Sequence, residues 1–423
     1  MKHRVRLHSR SLRWRGDCGP PGGFSMVELM VAMVLGLLLV EGILVLFSGT
    51  NRANATQAAL SRLQENGRIA LSLIADDLRR AGQLPCGSRI RPLVYTDALA
   101  SHITGTPGTA NAPQNWAAAT PYPLDRGIFI SGNTCVGATC TPALVPSQGL
   151  PRAGLADGDR VPGADVLTVR HVQGSGWTAR AAASGPACSA DNAMGSIAIR
   201  KLPGDSLPAD FDPSHVALLA NCSVGEILKV VRHGDTLTPL LGSFGAPGCL
   251  DIDSQTRVFD LDAQLQTSVY YLETKAREGV RGRGAVLMRR TNGVADELVE
   301  GVERLDFRYS LTDSAGAAHW LTAAEADRAT ASDGAQLLCK TVDSAGVKPC
   351  SWADVDAVDI LMLVNTVEDL PPDPSAHAWD YRYSGDSDTA LAPPPVMPVT
   401  GLLAGRMLRR EFHAVVALRN LGT

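Results

Sequence analysis

The sequence predicts an α+β protein in which one long N-terminal helix packs on an antiparallel β-sheet body with long loops. Three observations predict this class. An apolar run extends from Phe24 to Phe47, a helical pattern continues from there to Gly82, and short β-branched runs separated by turn residues follow it. Hydrophobic residues make up 45 % of the 423 residues and charged residues 19 %, so the chain can bury a core.

Residues 1–23 form a basic head on an acidic chain. They contain six Lys or Arg residues and one Asp, a net charge of +5, and because the whole chain carries −4 the remainder carries −9. A short basic segment before an apolar helix stays in the cytoplasm under the positive-inside rule. We therefore expect a single-pass membrane chain with a cytoplasmic head and an exported body. The negative balance also argues against nucleic acid as a partner.

The apolar run 24–47 is long enough to be a transmembrane helix. Its 24 residues would form about 36 Å of helix, which exceeds the roughly 30 Å hydrocarbon core of a bilayer. No small-residue cleavage site follows Phe47, so the pattern is not that of a cleaved secretory signal.

The helical pattern continues beyond the membrane, from Ala53 to Gly82. Basic side chains at Arg79 and Arg80 suit the last turn of a helix, and Gly82 is a typical stop. Apolar residues recur at three- and four-residue spacing and form one stripe: Leu60, Leu63, Ala70, Leu71, Ile74 and Leu78. The sequence thus predicts one helix over 24–82, whose amphipathic second half lies on a sheet.

Residues 83–423 read as a β-rich body without the helical segments that βαβ units require. The predicted strands are 127–131, 165–173, 197–201, 216–219, 226–232, 267–273, 285–290, 304–311, 355–365 and 407–419. Stretches rich in Gly, Pro, Ala and Ser predict long loops at 101–123, 145–164, 312–335 and 371–400.

A carboxylate at Glu28 lies within the apolar run, where a charge is costly and needs a partner. The run Gly23-Phe24-Ser25-Met26-Val27-Glu28 resembles the start of a type IV pilin-like precursor. The resemblance implies that prepilin peptidase cuts between Gly23 and Phe24 and that Phe24 becomes N-methylated. It also implies that Glu28 neutralises the terminal amine of a neighbouring subunit. A second carboxylate, Glu41, departs from the family pattern; we expect it near the periplasmic headgroups, with pairing to a neighbour as the alternative.

Four further segments are similar to PilW-type minor pilins: 63–82, 163–170, 299–309 and 409–420. The resemblance implies a minor pilin at or near the tip of a type IV pilus. Such a subunit takes part in initiating assembly with other minor pilins and the major pilin, with a tip adhesin as a further possible partner, and passes from the inner membrane to the extracellular pilus. It implies no enzyme activity and no cofactor. Two alternatives stay open: a type II secretion pseudopilin of the J type, and a tip adhesin or ligand-binding module acting through loops 101–123 and 371–400.

Nine cysteines are present, and removal of the leader with Cys18 leaves eight, an even number in a domain expected to face the oxidising periplasm. Local loop closure favours two pairs and makes a third plausible: Cys135–Cys140, Cys339–Cys350 and Cys188–Cys222. Eight cysteines permit 105 connectivities, so the pairing stays open. The alternative of a metal site is weak, because Cys135-x4-Cys140 has no second ligand pair at zinc spacing and no histidine nearby in sequence.

Three patterns imitate functional motifs. Gly204-Asp205-Ser206-Leu207 spells a lipase-like signature, but the nearest histidine, His215, falls in the same predicted loop and cannot be expected to complete a triad. The glycine-rich run 279–284 joins two strand-like runs and opens no helix, so it predicts a hairpin turn and not a phosphate site. The acidic stretch 368–388 lacks EF-hand spacing and predicts a solvated loop.

Overall fold

The computed structural model describes residues 23, 25–83, 99–101, 129–144, 148–181, 196–200, 216–221, 225–239, 256–276, 283–340, 346–370, 381–383, 395–396 and 407–418. The predicted α+β class is confirmed within these residues, which form a long N-terminal helix and mainly antiparallel sheets. The elements in chain order are α1 Met26–Arg80, β1 Leu99–Ser101, β2 Ile130–Val136, β3 Thr139–Thr141, β4 Val166–Val172, β5 Trp177–Ala181, β6 Ile197–Arg200, β7 Val216–Ala220, β8 Gly225–His233, β9 Thr236–Pro239, β10 Arg257–Asp260, α2 Leu261–Gln264, β11 Leu265–Ala276, β12 Arg283–Thr291, β13 Val294–Glu300, β14 Val302–Thr312, β15 Ala318–Leu321, α3 Ala323–Arg328, β16 Leu338–Lys340, β17 Val347–Pro349, β18 Val355–Asn365, β19 Tyr381–Arg382, β20 Pro395–Val396 and β21 Arg409–Ala417.

Helix α1 is 55 residues long and ends close to the predicted stop. Ala81 and Gly82 form a turn after it, and Gly82 has a φ of +65°, a left-handed conformation that favours glycine. Two compact units divide the chain within this helix, with the boundary between Thr56 and Gln57. The first unit contains exposed helix, and the second contains the end of α1 together with all the sheets.

The end of α1 packs on the body through the predicted apolar stripe. Leu63, Ala70, Ile74 and Leu78 are fully buried, whereas Leu60 and Leu71 are half-buried. Apart from Leu60, these side chains belong to or pack against one core cluster with residues of three large sheets, so the helix is part of the core of the body.

A six-stranded antiparallel sheet with the order β13-β12-β11-β4-β2-β3 forms one layer of that core. Every residue of its inner strand β4 is buried, including Arg170 and His171, and four of its seven residues are β-branched. A four-stranded antiparallel sheet with the order β15-β14-β18-β21 contributes to the same cluster, with buried residues alternating along β14.

A seven-stranded sheet with the order β1-β8-β7-β10-β5-β6-β9 has a second, smaller core cluster. Its pairs are antiparallel except for β1 with β8, which is a parallel pair that the sequence did not predict. Two-stranded ladders, β16-β17 and β19-β20, complete the described strands.

Each of the ten predicted strands overlaps an observed strand, and β18 has the predicted bounds. The loop predicted at 312–335 is wrong in part, because it contains β15 and the short helix α3. Thr322 and Glu325 start α3 with a reciprocal capping box, a local signal that the small residues around it obscured. The loop at 145–164 contains no strand in its described part, whereas most of 101–123 and 371–400 lies outside the described residues.

Candidate assembly site

The first half of α1 presents an unbroken apolar surface. Its large apolar side chains from Met26 to Phe47 are between 53 % and 83 % exposed. By length and composition this helix can span a membrane. A surface of this kind needs lipid or other apolar helices around it.

Glu28 lies in the first turn of α1 and is exposed. The backbone N–H of Ser25 donates to its Oε2 at 3.3 Å, so the carboxylate caps the start of its own helix, where a negative charge is favourable. Within the described part of the chain no basic side chain pairs with it.

The predicted processing residues lie just before this helix. Gly23 is exposed and has no atom within 4 Å of the place a Cβ would occupy, whereas Phe24 lies outside the described residues. The other carboxylate of the apolar run, Glu41, is exposed.

The second half of α1 contacts the strand β21 at a glycine. Gly67 is buried against the Phe412 ring, so closely that an added Cβ would overlap the ring carbons. Next to it, the Asn66 side-chain amide donates to the Glu300 carbonyl at 3.2 Å. Gly67 occupies a position of the apolar stripe, and its spacing from Leu63 was the signal in the sequence that could have identified it as a packing residue.

A buried polar cluster holds the end of α1 on the sheet. The Tyr270 hydroxyl donates to Asp77 Oδ2 at 2.7 Å, and a nitrogen of Arg289 lies 3.9 Å from the same oxygen. Burial raises the pKa of Tyr270, and the Asp77 charge raises it further. Burial lowers the pKa of the nearby His171, with Arg80 acting in the same direction and Asp77 against it. Sequence reasoning missed this cluster, because Asp77 is an ordinary helix residue until its partners are known.

A buried ion pair ties three strands of the four-stranded sheet together. Arg409 of β21 donates through Nε and Nη2 to the Glu303 carboxylate of β14 at 2.6 and 2.9 Å. The Asn365 side chain of β18 donates to the same carboxylate at 2.6 Å. The three side chains are all buried, so they fix the mutual register of β14, β18 and β21.

Disulfides join Cys135 to Cys140 and Cys339 to Cys350, the two local pairs that loop closure favours. The first crosses the β2–β3 hairpin, and the second joins β16 to the residue after β17. The remaining cysteines, and with them the Cys188–Cys222 prediction, lie outside the described residues: Cys18, Cys86, Cys188, Cys222 and Cys249.

The motif-like patterns lie mostly outside the described residues. The lipase-like signature and His215 lie outside the described residues. Of the run at 279–284, residues 279–282 lie outside the described residues, and the last two begin β12, which pairs antiparallel with β11. Among the described side chains no group of three or more His, Cys, Asp or Glu residues is placed to hold a metal ion.

Together these features define a class of protein: a β-rich body carried on a long helix whose free half is apolar enough for a membrane. The family model described as PilW, type IV pilus-assembly protein W, matches residues 269–420. The match covers the last two thirds of β11 and every later strand, including the Glu303–Arg409 pair and Phe412. It supports a PilW-type pilus-assembly protein, as the resemblance in the sequence implied, and involvement in type IV pilus assembly. No curated protein and no solved structure matches the chain.

Proposed function

We propose that this protein is a minor pilin subunit of a type IV pilus, located at or near the tip, that takes part in initiating pilus assembly. The observation that carries the proposal is the exposed apolar half of α1 with Glu28 in its first turn, continuous with a body whose C-terminal part matches a pilus-assembly family. A membrane helix without a function in assembly would need no carboxylate at that depth.

The mechanism begins with removal of the basic leader by prepilin peptidase on the cytoplasmic side. Cleavage after Gly23 leaves Phe24 as a charged N-terminus, which is then methylated. The Glu28 carboxylate of one subunit pairs with the terminal amine of the next, so each helix leaves the lipid only when its charge is neutralised by a neighbour. Because a buried charge without a partner is strongly destabilising, the pairing sets the register of the helices.

The size of the body favours a position at the tip. Residues 83–423 form a domain of some 340 residues, and neighbouring copies would collide if it were repeated along a thin fibre. In this proposal the subunit enters a complex with other minor pilins, and that complex starts polymerisation of the major pilin. The inner membrane holds the subunit until then, and the pilus carries it outside the cell afterwards.

A deletion strain tests the proposal against its alternatives. We expect surface pili and twitching to be lost, to return on complementation, and type II secretion to be unchanged. Normal pili with failed secretion would instead identify a pseudopilin of the J type. Normal pili and secretion with lost surface attachment would identify an adhesin. In the complemented strain, mass spectrometry of the mature chain should find N-methylated Phe24 at its start, and any other N-terminus contradicts the processing step.

A further inference from the structure

A buried guanidinium lies against one of the two described disulfides. The Cys135–Cys140 bond crosses the β2–β3 hairpin, whose tip is exposed: Val136 is 81 % exposed, whereas Cys135 and Cys140 are 6 % and 8 % exposed. Arg160 is 1 % exposed, and its Nη1 donates to the Cys135 sulfur at 3.6 Å. Its Nη2 donates to the Ala138 carbonyl at 3.4 Å, within the same hairpin.

This guanidinium has no carboxylate partner among the described side chains, although two acidic residues are close in the fold. Asp159 precedes Arg160 in the chain but pairs with Arg152 at 3.1 Å. Glu273 faces Arg160 across an isolated backbone bridge but binds Lys275 at 3.5 Å and accepts from the Tyr271 hydroxyl at 3.2 Å. A buried cation without a counter-ion is costly, and the cost falls if an anion forms beside it.

Reduction of the disulfide would create such an anion. A cation close to a cysteine favours the thiolate over the thiol, and a stabilised thiolate is a better leaving group in thiol–disulfide exchange. The Cys135 sulfur also lies 3.7 Å from the Asn133 carbonyl oxygen, which disfavours a thiolate. The carbonyl is a neutral dipole, so its effect on the thiolate is weaker than that of the full positive charge of Arg160. A further acid, Asp165, accepts from the Cys135 backbone N–H at 2.8 Å. Burial together with Asp306 raises the pKa of this carboxyl, which weakens its opposing charge.

We propose that Cys135–Cys140 is a thiol–disulfide exchange site that a dithiol reduces, with Arg160 as the positioning residue that stabilises the Cys135 thiolate. A thiolate of the dithiol attacks the Cys140 sulfur, the S–S bond breaks, and its electron pair leaves on Cys135 beside Arg160. The mixed disulfide joins the first sulfur of the dithiol to Cys140. The second thiolate of the dithiol then attacks that first sulfur and releases Cys140, which takes up a proton. The dithiol is oxidised to a disulfide by two electrons, and the protein disulfide is reduced by the same two.

The second disulfide is an internal reference. The Cys339 sulfur lies 3.5 Å from the Thr312 carbonyl oxygen, which disfavours a thiolate, and no basic side chain contacts the Cys339–Cys350 sulfurs in the described part of the chain. Both bonds are in one body, so a general loss of structure would affect both of them. An effect specific to Arg160 would affect only the first.

The test equilibrates the full-length protein in detergent with graded ratios of reduced to oxidised dithiothreitol. Acid quenching and differential alkylation then give the reduced fraction of each pair by peptide mass spectrometry. In Arg160→Gln we expect Cys135–Cys140 to need at least ten times more reduced dithiothreitol at its midpoint, about 30 mV for a two-electron couple. Cys339–Cys350 should keep its midpoint. Arg152→Gln is the matched control, because this neighbouring arginine is exposed and contacts no sulfur.

An unchanged Cys135–Cys140 midpoint in Arg160→Gln, or an equal shift in Arg152→Gln, would overturn the proposal. If Arg160→Gln does not fold, Arg160→Lys keeps the charge and should retain the wild-type midpoint. The reduced wild-type protein gives a test without any variant: the rate of Cys135 alkylation against pH should show a thiol pKa below the usual value of about 8.5. A value at or above it contradicts the proposal.

Discussion

At the scale of single residues, close packing decides what the sequence pattern leaves undetermined. Gly67 is a helix residue that a propensity argument would replace by alanine, yet it is buried where α1 meets Phe412 of β21. Glycine is needed at this position because the helix backbone approaches an aromatic ring, not because of an unusual backbone conformation. The ring and the glycine therefore act as one contact.

We predict that Gly67→Ala destabilises the protein. The new methyl group would overlap the Phe412 ring, and overpacking of this kind costs about 1–3 kcal/mol. Urea unfolding of the full chain in detergent, followed by tryptophan fluorescence, measures the change.

Gly49→Ala is the control, since this helix glycine has nothing within 4 Å of its Cβ position and should leave the unfolding midpoint of the body in place. Adding Phe412→Leu to Gly67→Ala should recover part of the loss. A Gly67→Ala protein as stable as the wild type would show that the helix is not held at this contact.

At the scale of elements, the strands could be predicted but their partners could not. The apolar runs at 304–311 and 355–365 gave strands that the structure contains. The neighbours of each strand depend on contacts between residues far apart in sequence, such as Glu303 with Arg409, which no local pattern encodes. In the region 312–335 the elements themselves were missed, because small residues there hid a capped helix and an edge strand.

Removing one member of the buried ion pair should strongly lower the free energy of unfolding. In Arg409→Met the Glu303 carboxylate stays buried without its cation, and breaking such a pair costs about 3–5 kcal/mol. Equilibrium unfolding in urea should show this as a lower midpoint.

The exposed pair Arg62–Glu368 provides the comparison. Its nitrogen and oxygen are 3.6 Å apart and the side chains are 72 % and 73 % exposed, so Arg62→Met should cost less than about 1 kcal/mol. Equal effects of the two substitutions would mean that the buried pair does not hold β21 in the sheet.

At the scale of the whole molecule, the two halves of α1 have different surroundings, and this difference is readable in the sequence. The all-apolar first half and the striped second half correspond to the exposed and the packed segments of the structure. Glu28 was also identifiable, because a carboxylate in an apolar run is rare enough to stand out. The seven-stranded sheet was only partly predictable, since β5 and β10 are short runs of mixed composition that acquire strand structure from their neighbours.

The amount of Glu28→Ala protein in sheared pili tests whether the subunit needs Glu28 to enter the pilus, with Glu41→Ala as the control. Glu28→Ala should insert in the membrane and be processed, because the helix becomes more apolar. It should fail to assemble, because a buried terminal amine loses its partner at a cost of about 3–5 kcal/mol, roughly a factor of 10² to 10³ in association.

Immunoblots of sheared-pilus and inner-membrane fractions, with pilus counts, measure both steps. We expect Glu28→Ala to be retained in the inner membrane and absent from sheared pili, with few pili formed, while Glu41→Ala behaves like the wild type. Glu28→Ala recovered in sheared pili at wild-type amounts with normal pilus numbers would contradict it.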